Sequence, residues 1–125
     1  MLQKYMKEGM YKEIYNELDA NMKLTLNELM SLFPGMQSHE VYLFMMYAIS
    51  KEETPERHLA ICDNLMFMDP YISGSYSLIR WHLERALEVC PGNTETIQWI
   101  VDSFLNNPDS PFSEEELLRF KSLLG

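Results

Sequence analysis

The apolar residues of this chain recur every three or four positions, and short runs of proline, glycine and asparagine interrupt them. From about Leu2 to Leu18, leucine, methionine and isoleucine follow a strict i, i+4 spacing, which is typical of one face of an α-helix. Gly9 lies inside this stretch, where glycine disfavours a helix by up to about 1 kcal/mol. A second apolar face runs from about Asn21 to Phe33 and stops at Pro34-Gly35. The pattern predicts one helix for each of these two stretches.

Several later helices start at recognisable capping residues. Thr54-Pro55 combines an N-cap hydroxyl with a proline at the first helical position. Asn93 or Thr94 is the expected cap of a helix whose apolar face is Ile97, Ile100, Val101, Phe104 and Leu105. Ser113 is followed by acidic residues in the pattern of a capping box. These signals depend only on neighbouring residues, so they predict helix starts without reference to the rest of the fold.

The most regular helical pattern lies between Asp69-Pro70 and Pro91-Gly92. Its apolar positions alternate between three- and four-residue spacing, at Ile72, Tyr76, Ile79, Leu83, Ala86, Leu87 and Cys90. Nowhere does the chain carry a convincing period-two alternation or a typical hairpin turn. We therefore predict an all-α fold, a single domain over residues 1–125. It should contain six or seven antiparallel helices in a layered, helical-repeat-like array.

The composition is that of a globular protein, with 46% hydrophobic and 23% charged residues. No apolar run approaches the roughly 20 residues that cross a bilayer, and the first residues lack the apolar core of a secretory signal. These features predict a cytoplasmic protein. Its two cysteines, Cys62 and Cys90, are then expected to be free thiols.

The net charge of −9, from 19 acidic and 10 basic residues, restricts the classes of partner. It argues against nucleic acids and anionic membrane surfaces, because binding to either requires lysine and arginine. It favours a basic protein partner, which the acidic field would attract. The alternative is that the acidic charge serves solubility alone.

The chain carries no recognisable catalytic or metal-binding motif. Its histidines, His39, His58 and His82, have none of the spacings that bind zinc, and the best pair, His58 with Cys62, supplies two ligands where zinc needs three or four. The glycine-rich phosphate loops and the nucleophile motifs of hydrolases are also missing. We therefore expect no catalytic residues, no metal and no cofactor, and packed histidines on helix faces.

Two tryptophans fall outside the apolar faces of their helices. At about 100° per residue, Trp81 lies opposite the apolar stripe of its helix, and Trp99 does the same on the next helix. Each shares its side with carboxylates, and the six residues Trp81, Glu84, Glu88, Glu95, Trp99 and Asp102 form a candidate partner-binding patch. The alternative is that both indoles pack against another helix layer, as off-stripe residues do in a layered array.

Two resemblances to known classes of protein suggest what kind of partner the chain binds. The segment from Ala86 to Asn93 resembles the end of a tetratricopeptide repeat, in which an alanine is followed five residues later by a proline. The chain is also similar to the small acidic helical immunity proteins that bacteria pair with secreted toxins, in size, charge, helical content and lack of an active site. The second resemblance implies an inhibitor that neutralises a basic toxin or nuclease. The first implies an adaptor or scaffold that holds a peptide or partner protein.

Overall fold

A computed structural model describes residues 2–68 and 74–125 of the chain. Within these ranges the fold is all-α, as predicted, with eight α-helices and no β-strand. The helices are α1 (Leu2–Lys7), α2 (Tyr11–Glu17), α3 (Leu26–Leu32), α4 (Ser38–Lys51), α5 (Pro55–Asp63), α6 (Ser75–Val89), α7 (Thr94–Phe104) and α8 (Glu114–Leu123). A five-residue π-helix, Asn64–Met68, continues α5. None of the described helices is long and apolar enough to cross a membrane.

The predicted first helix is in fact two helices, and this accounts for most of the difference between six or seven helices and eight. Gly9 has a φ of +70°, in the left-handed region that residues with a side chain rarely adopt. The chain turns there, and α1 and α2 pack against each other. Because of this turn, Met6 and Ile14 both reach the core, at 3% and 0% exposure. The prediction of one continuous helix was wrong because Gly9 ends α1 instead of weakening a longer helix.

The second helix starts later than the sequence pattern predicts. Leu24, just before it, has a φ of +58°, which stops any helix that would run from Asn21. Thr25 then caps α3, since its hydroxyl accepts the N–H of Glu28 at 3.2 Å. The apolar residues between Asn21 and Thr25 therefore belong to an irregular segment, in which Leu24 is buried and Met22 is partly buried.

The capping residues recognised in the later part of the chain act as predicted. The Thr54 hydroxyl accepts the N–H of residue 57 at 3.3 Å, at the start of α5. Asn93, rather than Thr94, caps α7 by accepting the N–H of residue 96 at 2.9 Å. Ser113 and Glu116 form a reciprocal capping box on α8, at 3.1 Å and 2.9 Å.

Helix α5 lies at the centre of the fold and contacts α3, α4, α6 and α7. Its buried side chains include three apolar or thiol residues and two that are polar, Arg57 and His58. Helix α6 runs antiparallel to it, because Cys62 contacts the carbonyl of Ile79 while His58 meets His82 further along. The start of α5 therefore brings buried polar groups into an otherwise apolar core.

Some apolar residues that follow helical spacing are exposed. Phe67, in the π-helix, is 69% exposed, and Leu118 and Leu123 on α8 are 51% and 68% exposed. A helix covered on one side buries only part of its apolar stripe, so spacing alone overestimates the core of α8. The predicted apolar position Ile72 and the break at Asp69-Pro70 lie outside the described residues.

Candidate partner-binding site

Trp81 stands on the surface of α6 with 53% of its area exposed. Its indole is held edge-on against the imidazole of His82, with ring centroids 4.9 Å apart and an interplanar angle of 88°. A second edge contact joins it to His58, at 6.2 Å. Such edge-to-face contacts stabilise an aromatic pair by roughly 1 kcal/mol beyond buried area. Trp81 is therefore an exposed aromatic side chain that two neighbouring imidazoles hold in place.

Trp99 has a different environment. Its indole N–H donates to the carboxylate of Asp63 on α5 at 2.7 Å, and its ring packs edge-on against Phe104 at 5.8 Å. The residue is half-buried and lies against the hydrophobic core. Burial raises the pKa of Asp63, and the bond from Trp99 partly offsets that rise. Trp99 thus connects α7 to α5, as expected of an indole in a second layer, and contact with a partner through it stays a prediction.

The two α6 carboxylates of the predicted patch share the exposed side of Trp81. Glu84 and Glu88 have 55% and 66% of their side-chain area exposed. Each accepts one bond from an arginine of its own helix: Glu84 from Arg80 at 3.4 Å, and Glu88 from Arg85 at 2.9 Å. Both arginines also bind a second carboxylate elsewhere in the fold, so the local positive charge is shared among several acids.

The other two predicted acids lie on α7. Glu95 and Asp102 are both exposed. One carboxylate oxygen of Asp102 accepts the side-chain N–H of Gln98 at 2.7 Å. The structure therefore places three predicted residues together on the outer side of α6, which we call the Trp81 surface: Trp81, Glu84 and Glu88. The α7 residues form a separate acidic face on either side of the half-buried Trp99.

Beneath Trp81, four side chains from two distant parts of the sequence form a continuous series of polar contacts. The carboxylate of Glu53 receives two bonds from the guanidinium of Arg85, both at 2.7 Å. One of its oxygens also lies 2.7 Å from Nε2 of His58. The other nitrogen of that ring, Nδ1, lies 2.9 Å from Nδ1 of His82. The network Arg85–Glu53–His58–His82 thus joins the loop before α5 to α5 and α6. Its two imidazoles are buried, whereas its guanidinium and carboxylate are partly exposed.

The geometry of the network fixes where its protons lie. An ionised Glu53 only accepts, so the neutral His58 carries its proton on Nε2 and offers a lone pair at Nδ1. His82 must then donate from its own Nδ1. Its Nε2 is left as a buried acceptor without a partner among the described residues. A further proton on His58 would set two N–H groups face to face, and one on His82 would bury an unpaired cation.

The environment keeps both imidazoles neutral. Burial, reinforced by the charge that His58 would carry, lowers the pKa of His82 to about 4. Burial also lowers the pKa of His58, although Glu53 opposes the shift. The bonds from Arg85 are the main reason why the pKa of Glu53 falls to about 2. At neutral pH the network therefore holds one ion pair and two uncharged rings. Because both rings are fully buried, they support the Trp81 surface from below and do not face an open cleft.

Sequence reasoning missed this network because its members are far apart in the chain. It grouped His58 with Cys62, one turn away, although the partners of His58 are Glu53 and His82. Cys62 is a buried free thiol whose pKa is raised well above its usual value by burial, and Cys90 is also free. The sequence carried one signal that the two histidines are buried. His58 shares a side of its helix with Cys62, and His82 shares a side of its helix with Ile79 and Ala86.

Comparison with known proteins identifies no related family, protein or structure. No protein-family model matches the chain, and neither a curated protein nor a solved structure is significantly similar to it. The resemblances to tetratricopeptide repeats and to immunity proteins therefore stay predictions.

Proposed function

We propose that this chain is a non-enzymatic protein-binding module that holds a basic partner through the Trp81 surface. The observation that carries the proposal is the half-exposed indole of Trp81, braced by two buried imidazoles. Tryptophan is enriched among the residues that dominate binding energy, and a rigid one loses little conformational entropy on binding. A surface tryptophan that is held in place from below is therefore well suited to anchor a protein partner.

Charge determines the kind of partner that we propose. Glu84 and Glu88 beside Trp81 are exposed, and the whole chain carries a net charge of −9. A lysine or arginine of the partner can sit over the indole face and bond a neighbouring carboxylate at the same time. The overall acidic field would also speed the encounter with a basic protein at low salt.

Among binding modules, we favour an inhibitor of the immunity type, which neutralises a basic toxin or nuclease by covering its site. The alternative is a helical adaptor that holds a peptide. An apolar groove of about 360 Å³ beside α4 and α6, lined in part by Tyr42, Leu43 and Leu78, supports the alternative. Leu43 there is 49% exposed, which gives a peptide an apolar contact.

The test compares wild-type protein with Trp81→Ala as immobilised bait in a lysate of its source cells, with Leu123→Ala as the matched control. Leu123 is also an exposed apolar residue, at 68%, but it lies on α8. An anchor of this kind contributes about 2 kcal/mol, so Trp81→Ala should weaken binding roughly thirtyfold. Leu123→Ala should have little effect, and circular dichroism should show intact helices in both variants.

Four further outcomes separate the parts of the proposal. Binding that does not weaken as salt rises would refute the electrostatic part. A captured protein retained equally well by Trp81→Ala would refute the role of Trp81. If the purified partner has a toxic or nuclease activity that this chain blocks, the inhibitor is supported. If the partner's activity is unaffected, the adaptor is supported.

A further inference from the structure

Arg57 is a buried charge in the first turn of α5. Only 5% of its surface is exposed. Its Nη1 donates to the carbonyl oxygens of Ala48 at 2.6 Å and Glu52 at 2.7 Å, which lie at the C-terminal end of α4. The bond to Glu52 satisfies a carbonyl that the helix end leaves without a partner, whereas the carbonyl of Ala48 also accepts the N–H of Glu52 at 3.0 Å. The negative end of the helix dipole favours the guanidinium. The two bonds use both hydrogens of one terminal nitrogen.

The positive charge of Arg57 has no carboxylate within 4.0 Å among the described residues. The more exposed Arg80 and Arg85 both have such partners, Glu116 at 2.8 Å and Glu53 at 2.7 Å. Buried arginines are rare unless they are paired, because removing an ion from water is costly. The carbonyl bonds of Arg57 only partly compensate for its charge, so the site favours an incoming anion.

Two other nitrogens of Arg57, Nε and Nη2, make no hydrogen bond among the described residues. Among the described residues, the side-chain atoms that lack both solvent contact and a hydrogen-bond partner are Asn64 Oδ1 and His82 Nε2. Because Nε and Nη2 of Arg57 are not among them, both nitrogens keep some contact with solvent. Arg57 lines a cavity of about 260 Å³ between the end of α2 and the junction of α4 and α5. The guanidinium also lies 5.4 Å from the ring centre of Tyr15, which restrains it. The Nε–Nη2 edge presents two parallel N–H groups, the geometry that binds a carboxylate at both oxygens.

The remaining walls of the cavity narrow the class of ligand. Two carboxylates, Asp19 and Glu52, line it, so a simple anion would be repelled by them as well as by the net charge of −9. A molecule that also carries a cation avoids this repulsion. Leu18 and Met22 add apolar area on the same cavity. The volume lies just below the range of about 300 to 1,000 Å³ typical of pockets for drug-sized ligands, so the ligand should be smaller than those.

We propose that this cavity binds a free α-amino acid with an apolar side chain. Its carboxylate bonds the Nε–Nη2 edge of Arg57, its ammonium faces Asp19 and Glu52, and its side chain packs against Leu18 and Met22. The site is separate from the Trp81 surface, so this proposal does not depend on the proposed function.

The test follows the Nε–H resonance of Arg57 by ¹H–¹⁵N NMR in the full chain, at millimolar ligand concentrations. L-leucine is the probe, N-acetyl-L-leucine lacks the ammonium, isopentylamine lacks the carboxylate, and inorganic phosphate is a plain anion. L-leucine should shift the resonance saturably, and each of the others should bind at least about tenfold more weakly, since each loses a charged contact. No shift with L-leucine, or equal binding of N-acetyl-L-leucine or phosphate, overturns the proposal.

A second measurement uses variants that preserve the bonds of Arg57 to α4. Asp19→Asn and Glu52→Gln change exposed carboxylates that line the cavity, and Glu13→Gln is the matched control on α2, away from the cavity lining. The double variant Asp19→Asn, Glu52→Gln should weaken L-leucine binding at least about tenfold, the loss of a charge-assisted contact, with unchanged urea unfolding. Glu13→Gln should bind like wild type. Full binding by the double variant contradicts the proposed ammonium contact and overturns the proposal.

Discussion

The buried histidine pair should make the fold less stable as the pH falls from about 6.5 to about 4.5. In the fold the pKa of His82 is lowered to about 4 from the 6.5 of an unfolded chain, mainly by burial. Between these two values the unfolded state binds more protons than the folded state. The free energy of unfolding must therefore fall with the pH in this window. The contribution is fully present above pH 6.5 and is lost as the pH falls towards about 4.

The size of the effect follows from the difference between the two pKa values. The two pKa values differ by about 2.5, which corresponds to about 3.5 kcal/mol at about 1.4 kcal/mol for each pKa unit. Most of it, roughly 2.5 kcal/mol, should be lost by about pH 4.5. The pKa of His58 is lowered too, so its titration adds to the loss.

Other groups titrate at the edges of this window. The lowered pKa of Glu53, about 2, removes stability only below about pH 4.5, with the same sign as the histidines. The pKa of Asp63 is raised from 3.8, so its contribution is present at low pH and is lost as the pH rises. That contribution opposes the histidines. A comparison of variants that all keep Glu53 and Asp63 cancels both.

The assay is urea unfolding followed by circular dichroism, from about pH 7.5 to about pH 4.5, for wild type, His82→Leu and His39→Gln. His39 is exposed on α4, so its variant should keep the wild-type pH dependence. His82→Leu should be less stable by about 1–3 kcal/mol at the upper pH, since it leaves a buried acceptor of His58 without a donor. Its stability should nevertheless depend much less on pH. Equal pH dependence in His82→Leu and wild type would refute the reasoning.

Two further predictions test other buried contacts. Trp99→Phe removes the N–H that binds Asp63, which should cost about 1–2 kcal/mol at neutral pH. Protonation of Asp63 removes the charge that needs this donor, so the loss of stability should shrink at a pH below the raised pKa of that carboxyl. Urea unfolding at neutral pH and at this lower pH measures the two losses, and equal losses would contradict the reasoning. Cys62 should resist alkylation by iodoacetamide in the native state while the half-buried Cys90 reacts, because burial holds the pKa of the Cys62 thiol high. Mass spectrometry after partial alkylation checks this, and equal labelling of both thiols contradicts it.

Much of the secondary structure could be read from the sequence, because the signals involved are local. The caps at Thr54, Asn93 and Ser113 require only bonds to residues three positions away, so the sequence determined where α5, α7 and α8 begin. The all-α class follows from the spacing of apolar residues. Gly9 shows where local reading fails. A glycine can weaken a helix or end it, and the packing of α1 on α2 favours the second outcome.

Only the tertiary structure decided what the polar and aromatic residues do. Trp81 and Trp99 look alike in sequence, since both lie off the apolar stripe and beside acids. Of the two, only Trp99 meets a hydrogen-bond acceptor on another helix, the partly buried Asp63 on α5. The contact between His58 and His82 joins residues 24 positions apart on antiparallel helices, and no periodicity within one helix specifies it. A helical wheel gives the direction of a side chain from its own axis, whereas burial and partners depend on which helix lies opposite. The sequence therefore determined the all-α class, the starts of the capped helices and the acidic charge. The packing of α5 against its neighbours determined which groups are exposed, paired or buried in the core.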